Sequence, residues 1–578
     1  MRTGPLFSLV VALTATASAG ELPARYFRLL EAGSQKVDTR LQAEPTADLA
    51  KLEAPPGWRH FGYSILAPAV LYATHHPDNP RYHDPRMLAL ALRIGDLLAS
   101  ENDKGKYEPR GDSDWDTYTW LEAYRILEND LGSERRDHWK RALLANIALL
   151  EPGAAERVDF AWFQSPFIGT SPNHYSQWAE LLYLAGRVFD NAKWVDLGAR
   201  ILHRFAEEQS PDGFWGEHTR EAPTIGYDHL TLSAVAVYYE YSKDPAALDA
   251  LRRSLTFHKN FTWLDGTPVE TMNNRNRYWE VSSWAQFAFS HFPEGRRYAE
   301  FLSGFFDPGK LTMESIGRLA QDALYYHEGA TAPIPQDQER YAYQLSIPGG
   351  IRKTGPWTVS LSGIVETQAV INQFYLDRQA NLAVYHQRTG LIVSGANSKR
   401  QPELATLRET LPSGETLHLA GNTRLQMSPT SDRLSLAFNT FFADLYMAPP
   451  QRQELNFKFV IAGRGEPPQA AFTTLQLVLH AGESLETANG KYVLSAEPLN
   501  LTGEQIGGWI RHHGWTLHVD PTTRFTWPIY PFNPYRNAPE TTLEHAVGTV
   551  SVPLKLKSRP GHYVRPNEQE IAFKLTVE

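Results

Sequence analysis

The spacing of apolar residues along this chain changes character once, and that change divides it in two. From about residue 58 to about residue 328, apolar side chains recur at i, i+3 and i+4, the period of helices that bury one face. The pattern predicts helices over His60 to His76, Pro85 to Ser100, Trp115 to Asn129, Glu134 to Leu150, Tyr175 to Phe189 and Ala192 to Glu208. It continues over Asp228 to Tyr241, Pro245 to His258, Arg277 to Phe292, Tyr298 to Phe306 and Leu311 to His327. Trp194, Leu197, Ile201, Leu202 and Phe205 make one such stripe, and Trp178, Leu181, Leu182, Ala185 and Phe189 another. Asp84-Pro85 and Asp244-Pro245 set a capping carboxylate before a proline at the first helical position. Successive helices of this length joined by Gly-, Pro- and Asn-rich loops predict an (α/α) toroid of five to seven hairpins, with a right-angled helical bundle as the alternative.

Beyond Gly329-Ala330-Thr331-Ala332-Pro333-Ile334-Pro335 the period shortens. Short β-rich runs begin at Trp357, Leu382, Leu434, Leu455, Leu475, Tyr492, Trp515, Val547 and Ile571, separated by turns such as Pro412-Ser413-Gly414 and Asn489-Gly490. This half reads as an antiparallel β-sandwich. The expected division is a signal peptide over 1–19, a toroid catalytic domain over 20–330 and the sandwich over 331–578.

The signal peptide is read from Arg2, the apolar run Leu6 to Leu13 and Ala17-Ser18-Ala19 before Gly20. It implies a periplasmic or secreted protein. No apolar run approaches the roughly 20 residues of a membrane span, so membrane insertion is not expected. The chain has no cysteine, which excludes disulfides and thiolate metal sites. A formal charge of −9 argues against a nucleic-acid partner. Its 15 tryptophans suit the apolar faces of sugar rings as well as they suit a large core.

Candidate chemistry sits at helix starts. Ser171-Pro172-Asn173-His174-Tyr175 opens one predicted helix, and Gly226-Tyr227-Asp228-His229 opens another. An amide, an imidazole and a phenol converging on one cleft can neutralise a substrate carboxylate, take a carbon-bound proton and protonate a leaving oxygen. Those are the needs of β-elimination on a uronic-acid polysaccharide. Asn173 suits the first service; His174 and Tyr227 suit the others, with either His174 as base and Tyr227 as acid or Tyr227 doing both on one face, depending on the stereochemistry of the sugar. Asn273-Asn274-Arg275-Asn276-Arg277-Tyr278 precedes a further predicted helix, where Arg277 and Arg275 can grip an acidic group bidentately while Asn274 and Tyr278 line the mouth. A solvated helix cap is the plainer reading of that segment. Trp215 and Glu217, in Asp212-Gly213-Phe214-Trp215-Gly216-Glu217-His218, either line a subsite or belong to a simple turn. Tyr175 and His229 flank the central trio as candidate substrate contacts. Tyr325, Tyr326, His327 and Glu328 face the cleft or pack between domains. No metal-binding motif, phosphate loop or dinucleotide fingerprint is present, and neither a cofactor nor a metal is called for; His512-His513 reads as a packed or solvated pair.

Asn173, His174 and Tyr227 together resemble the polysaccharide lyases that join a toroid to a β-sandwich, the heparinase II/III-like and oligoalginate-lyase group. Members carry an Asn-His pair at one helix start and a catalytic Tyr on the next hairpin. The resemblance implies a lyase acting on an acidic polysaccharide or oligosaccharide. That group also draws a histidine, and sometimes a second tyrosine, from its sheet domain. Here only Tyr375 and Tyr385-His386 offer themselves, with a buried, hydrogen-bonded His386 the preferred reading. Two rivals stand beside the lyase. An inverting glycoside hydrolase would pair Asp112, Asp114 or Asp116 with Glu217, Asp228 or Glu270 across a cleft, although the Asp run is also a natural helix start. A noncatalytic glycan-binding protein would use the aromatics and arginines alone.

Overall fold

The structure is a computed structural model. It describes residues 21–44, 48–105, 114–162, 172–216, 222–272, 284–365, 380–395, 401–533, 538–539, 542–557 and 568–578. The expected signal peptide lies outside the described residues.

Fourteen helices occupy the N-terminal part of the described chain: α1 (Glu21–Ala43), α2 (Leu49–Glu53), α3 (Leu66–Ala73), α4 (Pro85–Asp103), α5 (Asp114–Leu127), α6 (Ser133–Ala148), α7 (Glu151–Arg157), α8 (Pro172–Val188), α9 (Ala192–Glu207), α10 (Ile225–Ser242), α11 (Pro245–Asn260), α12 (Gln286–Phe289), α13 (Pro293–Ser303) and α14 (Met313–Tyr325). Six of them form a closed inner ring, in which α3 packs on α5, α5 on α8, α8 on α10, α10 on α12, α12 on α14 and α14 back on α3. The others lie outside, as α9 does against α8 and α11. This is an (α/α) toroid.

Burial separates the two rings. Outer helix α9 buries one stripe, Trp194, Leu197, Gly198, Ile201, Leu202 and Phe205, and shows polar residues elsewhere. A fully buried leucine such as Leu202 contributes roughly 2 kcal/mol. Inner helix α10 is buried almost all round from Ile225 to Tyr238. Its polar residues therefore turn inward. So do Asp114, Asp116 and Glu122 of α5, Glu180 of α8, and Arg318, Gln321 and Asp322 of α14, all at most 4% exposed.

Three predicted helices differ from the observed ones. His60 to His76 divides into a 3-10 turn, Phe61–Ile65, and α3; Pro68 lacks the N–H that would bond back to Ser64, so the α-helix cannot extend further toward the N-terminus. Of the expected Arg277 to Phe292 helix, only the four residues Gln286–Phe289 are helical among those described. The helix expected at Tyr298 starts at Pro293, where proline suits a first turn. Helix α1 was not anticipated, yet it buries Leu22, Tyr26, Phe27, Leu29, Leu30, Val37 and Leu41.

The last toroid helix ends at Tyr325, and the first strand starts at Arg340. An eleven-stranded and a nine-stranded sheet follow, with every strand pairing among the described residues antiparallel. The strand Glu454–Gly463 alternates buried and half-buried positions, as a sheet with one face on a core does. Trp357, Val384 and Leu475 of the larger sheet share one core with Leu436, Phe457 and Phe573 of the smaller, which makes a β-sandwich.

The sheets dock at one end of the toroid. Helix α11 runs opposite to α10, so its C-terminus lies at the end where α10 begins. There the Tyr341 hydroxyl donates to the Asn260 carbonyl at 3.3 Å, and Gln336 Nε2 donates to the carbonyls of Lys259 and Thr262 at 2.8 and 2.9 Å. The backbone and hydroxyl of Ser346 both bond Asp212, and the Gly395 N–H donates to Glu270 Oε1 at 2.9 Å.

Candidate active site

The inner helices start at this same end. Asp114 begins α5, and its Oδ1 accepts the N–H of Trp115 at 2.8 Å. Its Oδ2 stands 3.0 Å from Nδ1 of His174, in the first turn of α8. The His174 side chain is 25% exposed and that of Asp114 only 2%, so the carboxylate holds the ring from within while the imidazole remains partly exposed. A carboxylate facing Nδ1 accepts its proton and leaves the lone pair on Nε2. Asn173, the preceding residue, is buried.

Helix α10 is set against α8 by the Ser176 hydroxyl, which donates to the Asn173 carbonyl at 2.8 Å and lies 3.3 Å from the Thr231 hydroxyl. His174 lies two residues before Ser176, and Tyr227 four before Thr231. At 1.5 Å per residue the two differ by about 3 Å in height along these parallel helices. Tyr227 is half-buried in the first turn of α10. The toroid thus brings Asn173, His174, Asp114 and Tyr227 to one end of two adjacent inner helices and their neighbour.

A second histidine–carboxylate pair lies beside them. His60, in the left-handed region at φ 62°, stacks on Tyr63 and sets Nδ1 3.4 Å from Asp116 Oδ2. Burial, partly offset by His60, raises the Asp116 carboxyl to about 6. The imidazole of His60, although burial works against its charge, is raised by its bond to Asp116. Arg318 is 2% exposed and lies over the Trp115 ring at 3.4 Å. Its Nε and Nη1 have no hydrogen-bond partner among the described residues.

The other sequence candidates fall in different places. Asn274, Arg275, Arg277, Tyr278, Glu217 and Tyr375 lie outside the described residues, as does Asp112. Trp215 is 1% exposed; its N–H donates to Asp228 Oδ1 at 2.6 Å and its indole N–H to the Phe205 carbonyl at 2.8 Å. Its ring belongs to the core and lines no subsite. The turn before it needs glycine, because Gly213 sits at φ 91° and a Cβ there would meet the Arg253 carbonyl oxygen at 2.2 Å. Tyr175 is also core, 5% exposed and against Phe205. His229 is sealed and tilted against His258, with ring centroids 4.1 Å apart; burial and the neighbouring His258 hold it well below the usual imidazole range. Both side chains, Tyr175 and His229, are buried within the packed inner ring.

The four described carboxylates of the hydrolase scheme, Asp114, Asp116, Asp228 and Glu270, are occupied. Asp228 is fully buried and lies 2.5 Å from His258 Nε2. Glu270, raised to about 7 by burial, is held by Trp263 Nε1 and the Gly395 N–H. Asp114 and Asp116 face histidines. His386 is 5% exposed, set edge-on to Trp357, accepts the Arg388 N–H at Nδ1, and is pushed by burial to about 4. Tyr325 bonds Glu122 and Tyr241 within the ring, Tyr326 packs on Tyr26, and Glu328 bonds His76. These residues serve the toroid itself, neither the cleft nor the interdomain contact.

Sequence reasoning missed two features of the site. Asp114 as the partner of His174, and the inward-facing Arg318, are set by contacts between helices far apart in the chain. The acids Asp114 and Asp116 in the first turn of an inner helix were the available signal for Asp114.

No family model and no curated protein matches the sequence. Among solved structures, the chondroitin AC lyase of Streptomyces coelicolor A3, in complex with chondroitin sulphate, is similar with a TM-score of 0.50 at 12% identity, over 96% of this chain and 82% of that one. A xanthan lyase of Paenibacillus is similar with a TM-score of 0.50 at 10% identity, over 96% of this chain and 59% of that one, so this chain spans less than two thirds of its length. The fold is that of the toroid-plus-β-sandwich polysaccharide lyases.

Proposed function

We propose that this protein is a polysaccharide lyase that cleaves a uronic-acid-containing chain by β-elimination. The observation that carries the reading is the Asp114–His174 pair, with the imidazole a quarter exposed at the level where Tyr227 begins the adjacent inner helix. Asn173 donates to the substrate carboxylate, assisted by Arg277, so that charge developing at C5 is delocalised. The C5 proton passes to Nε2 of His174 or to the Tyr227 phenolate, and the C5–H electrons form the C4=C5 double bond. The C4–O4 bond breaks, and in either case O4 takes its proton from the Tyr227 hydroxyl. Asp114 contributes by fixing the tautomer and orientation of His174. Arg275, Asn274, Tyr278 and Glu217 are proposed to hold neighbouring sugars.

The fold likeness to enzymes titled chondroitin AC lyase and xanthan lyase supports an acidic polysaccharide as the substrate class. The occupied carboxylates weigh against the hydrolase scheme. The leader-like N-terminus supports export to the periplasm or beyond, and no described helix is long and apolar enough to cross a membrane.

The test incubates the purified protein with alginate, glucuronan, heparan, chondroitin and hyaluronan and follows the ultraviolet band of the unsaturated uronate. The expected result is a growing band on at least one polymer. New reducing ends without the band would replace elimination by hydrolysis, and binding with neither signal would leave a glycan-binding protein.

A further inference from the structure

The opposite end of the toroid carries a second group of chemically capable side chains that the elimination scheme does not use. Glu240 lies in the last turn of α10, His291 just beyond α12 and His327 just beyond α14, so three consecutive inner helices deliver one residue each. Glu240 Oε1 is 2.8 Å from His327 Nε2 and 3.0 Å from His291 Nε2, and the two imidazole rings are 4.3 Å apart. All three ligand atoms lie within 4.8 Å of one another. Lys243 takes the other carboxylate oxygen at 3.2 Å, leaving Oε1 to the histidines. His291 Nε2 is sealed from solvent and faces the same Oε1 that His327 Nε2 approaches. Two imidazole nitrogens converging on one carboxylate oxygen are the arrangement a shared cation completes.

We propose that Glu240, His291 and His327 bind a divalent transition-metal ion of the Zn²⁺ type. Two imidazoles and one carboxylate oxygen are a borderline nitrogen and oxygen donor set, which favours Zn²⁺ over Mg²⁺ or Ca²⁺. The His327 side chain is 43% exposed, so the fourth position opens to solvent. The C-terminal ends of α10 and α14 add the negative poles of two helices. Glu240 lies 13 residues along α10 from Tyr227, about 20 Å at 1.5 Å per residue. The ion therefore clamps the closing hairpins of the ring and takes no part in the elimination.

The sheet domain has a superficially similar group, His480, Glu483 and His512. There His512 Nε2 already accepts the His480 N–H at 3.0 Å while its Nδ1 faces the Ser484 carbonyl at 3.0 Å. Its lone pair is spent on the backbone, and that group makes the internal control.

The experiment titrates the metal-stripped full chain with Zn²⁺ by calorimetry and with Co²⁺ by visible absorption. One ion per chain is expected, with the intense bands of four-coordinate Co²⁺ and a higher unfolding temperature in Zn²⁺ but not in Mg²⁺. Loss of an outer-shell partner typically costs about 10- to 100-fold in affinity, so removing a ligand in His327→Ala should cost at least about 100-fold. Glu483→Gln should leave the affinity unchanged. His327 is exposed enough for its variant to fold; circular dichroism checks this, and His327→Gln provides a second version. The proposal is overturned if the wild type binds no Zn²⁺, if both His327 variants bind it as the wild type does, or if Glu483→Gln abolishes binding.

Discussion

Two of the histidine–carboxylate pairs at this end of the toroid have opposite fates. In the first, His174 is a quarter exposed over a nearly buried Asp114. In the second, His258 and Asp228 are 1% and 0% exposed. Sealing removes the water that would stabilise either charge. Burial pushes the His258 imidazole down to about 3 and the Asp228 carboxyl well above its ordinary range, so both prefer their neutral forms. The sealed pair joins α10, α11 and the Trp215 turn; the open pair can exchange a proton with a bound sugar. The same residue types become scaffold or chemistry according to which side of the ring water reaches.

The comparison breaks most decisively at the open pair. His174→Ala and Tyr227→Phe should each lower the rate of unsaturated-product formation by about 10²- to 10⁴-fold, the usual contribution of a positioned acid or base, with thermal unfolding unchanged. A variant that kept its rate would remove that residue from the scheme. The sealed pair should respond in the reverse sense. His258→Ala leaves a buried neutral carboxyl without its hydrogen-bond partner and opens a cavity, and should destabilise the fold by about 2 kcal/mol, seen as a lower denaturation midpoint, while the folded fraction keeps its specific activity. Lost activity at unchanged stability would erase the distinction between the two pairs.

Asp114→Asn sharpens the contrast at a smaller scale. It preserves the shape of the side chain but weakens its hold on the Nδ1–H tautomer. The expectation is a fall of about 10- to 100-fold in kcat with little change in KM, together with an altered pH–rate profile. A change confined to KM would make Asp114 a structural cap only.

How much of this was legible follows from the same distinction. Outer helices such as α9 advertise themselves through one stripe, and Pro172 before Asn173-His174 marks a helix start within the chain's own letters. The partner of His174 was hidden, because Asp114 lies 60 residues away and meets it only when α5 packs on α8. Trp215 beside a glycine turn looks like a sugar platform, yet Asp228 ties the backbone under it into the core. In the sandwich, the alternating core strands were readable. Edge strands such as Arg340–Gln344 and Asn422–Met427 were not, since only one of their eleven residues, Leu425, is buried, and no apolar period marks them.

Asp322 supplies the finest test, because it is a buried carboxyl at the ring centre with no histidine beside it. Its Oδ1 accepts the Phe287 N–H at 2.9 Å, while Oδ2 has no partner among the described residues. Burial raises it from 3.8 to about 7, against the bonds from Phe287 and Gln286 and the charge of Arg318. The folded protein therefore binds a proton that the unfolded chain releases. This contribution to stability is fully present below about 4 and is lost progressively as pH rises to about 7, at about 1 kcal/mol per pH unit. Asp322→Asn keeps the Oδ1 acceptor and is neutral at every pH, so that slope should disappear. Thermal unfolding across pH 4 to 8 should show the variant close to the wild type in acid and more stable above neutrality. Parallel curves would mean that Asp322 ionises in the fold as freely as in the unfolded chain, and that burial without a partner does not by itself decide the charge state at the ring centre.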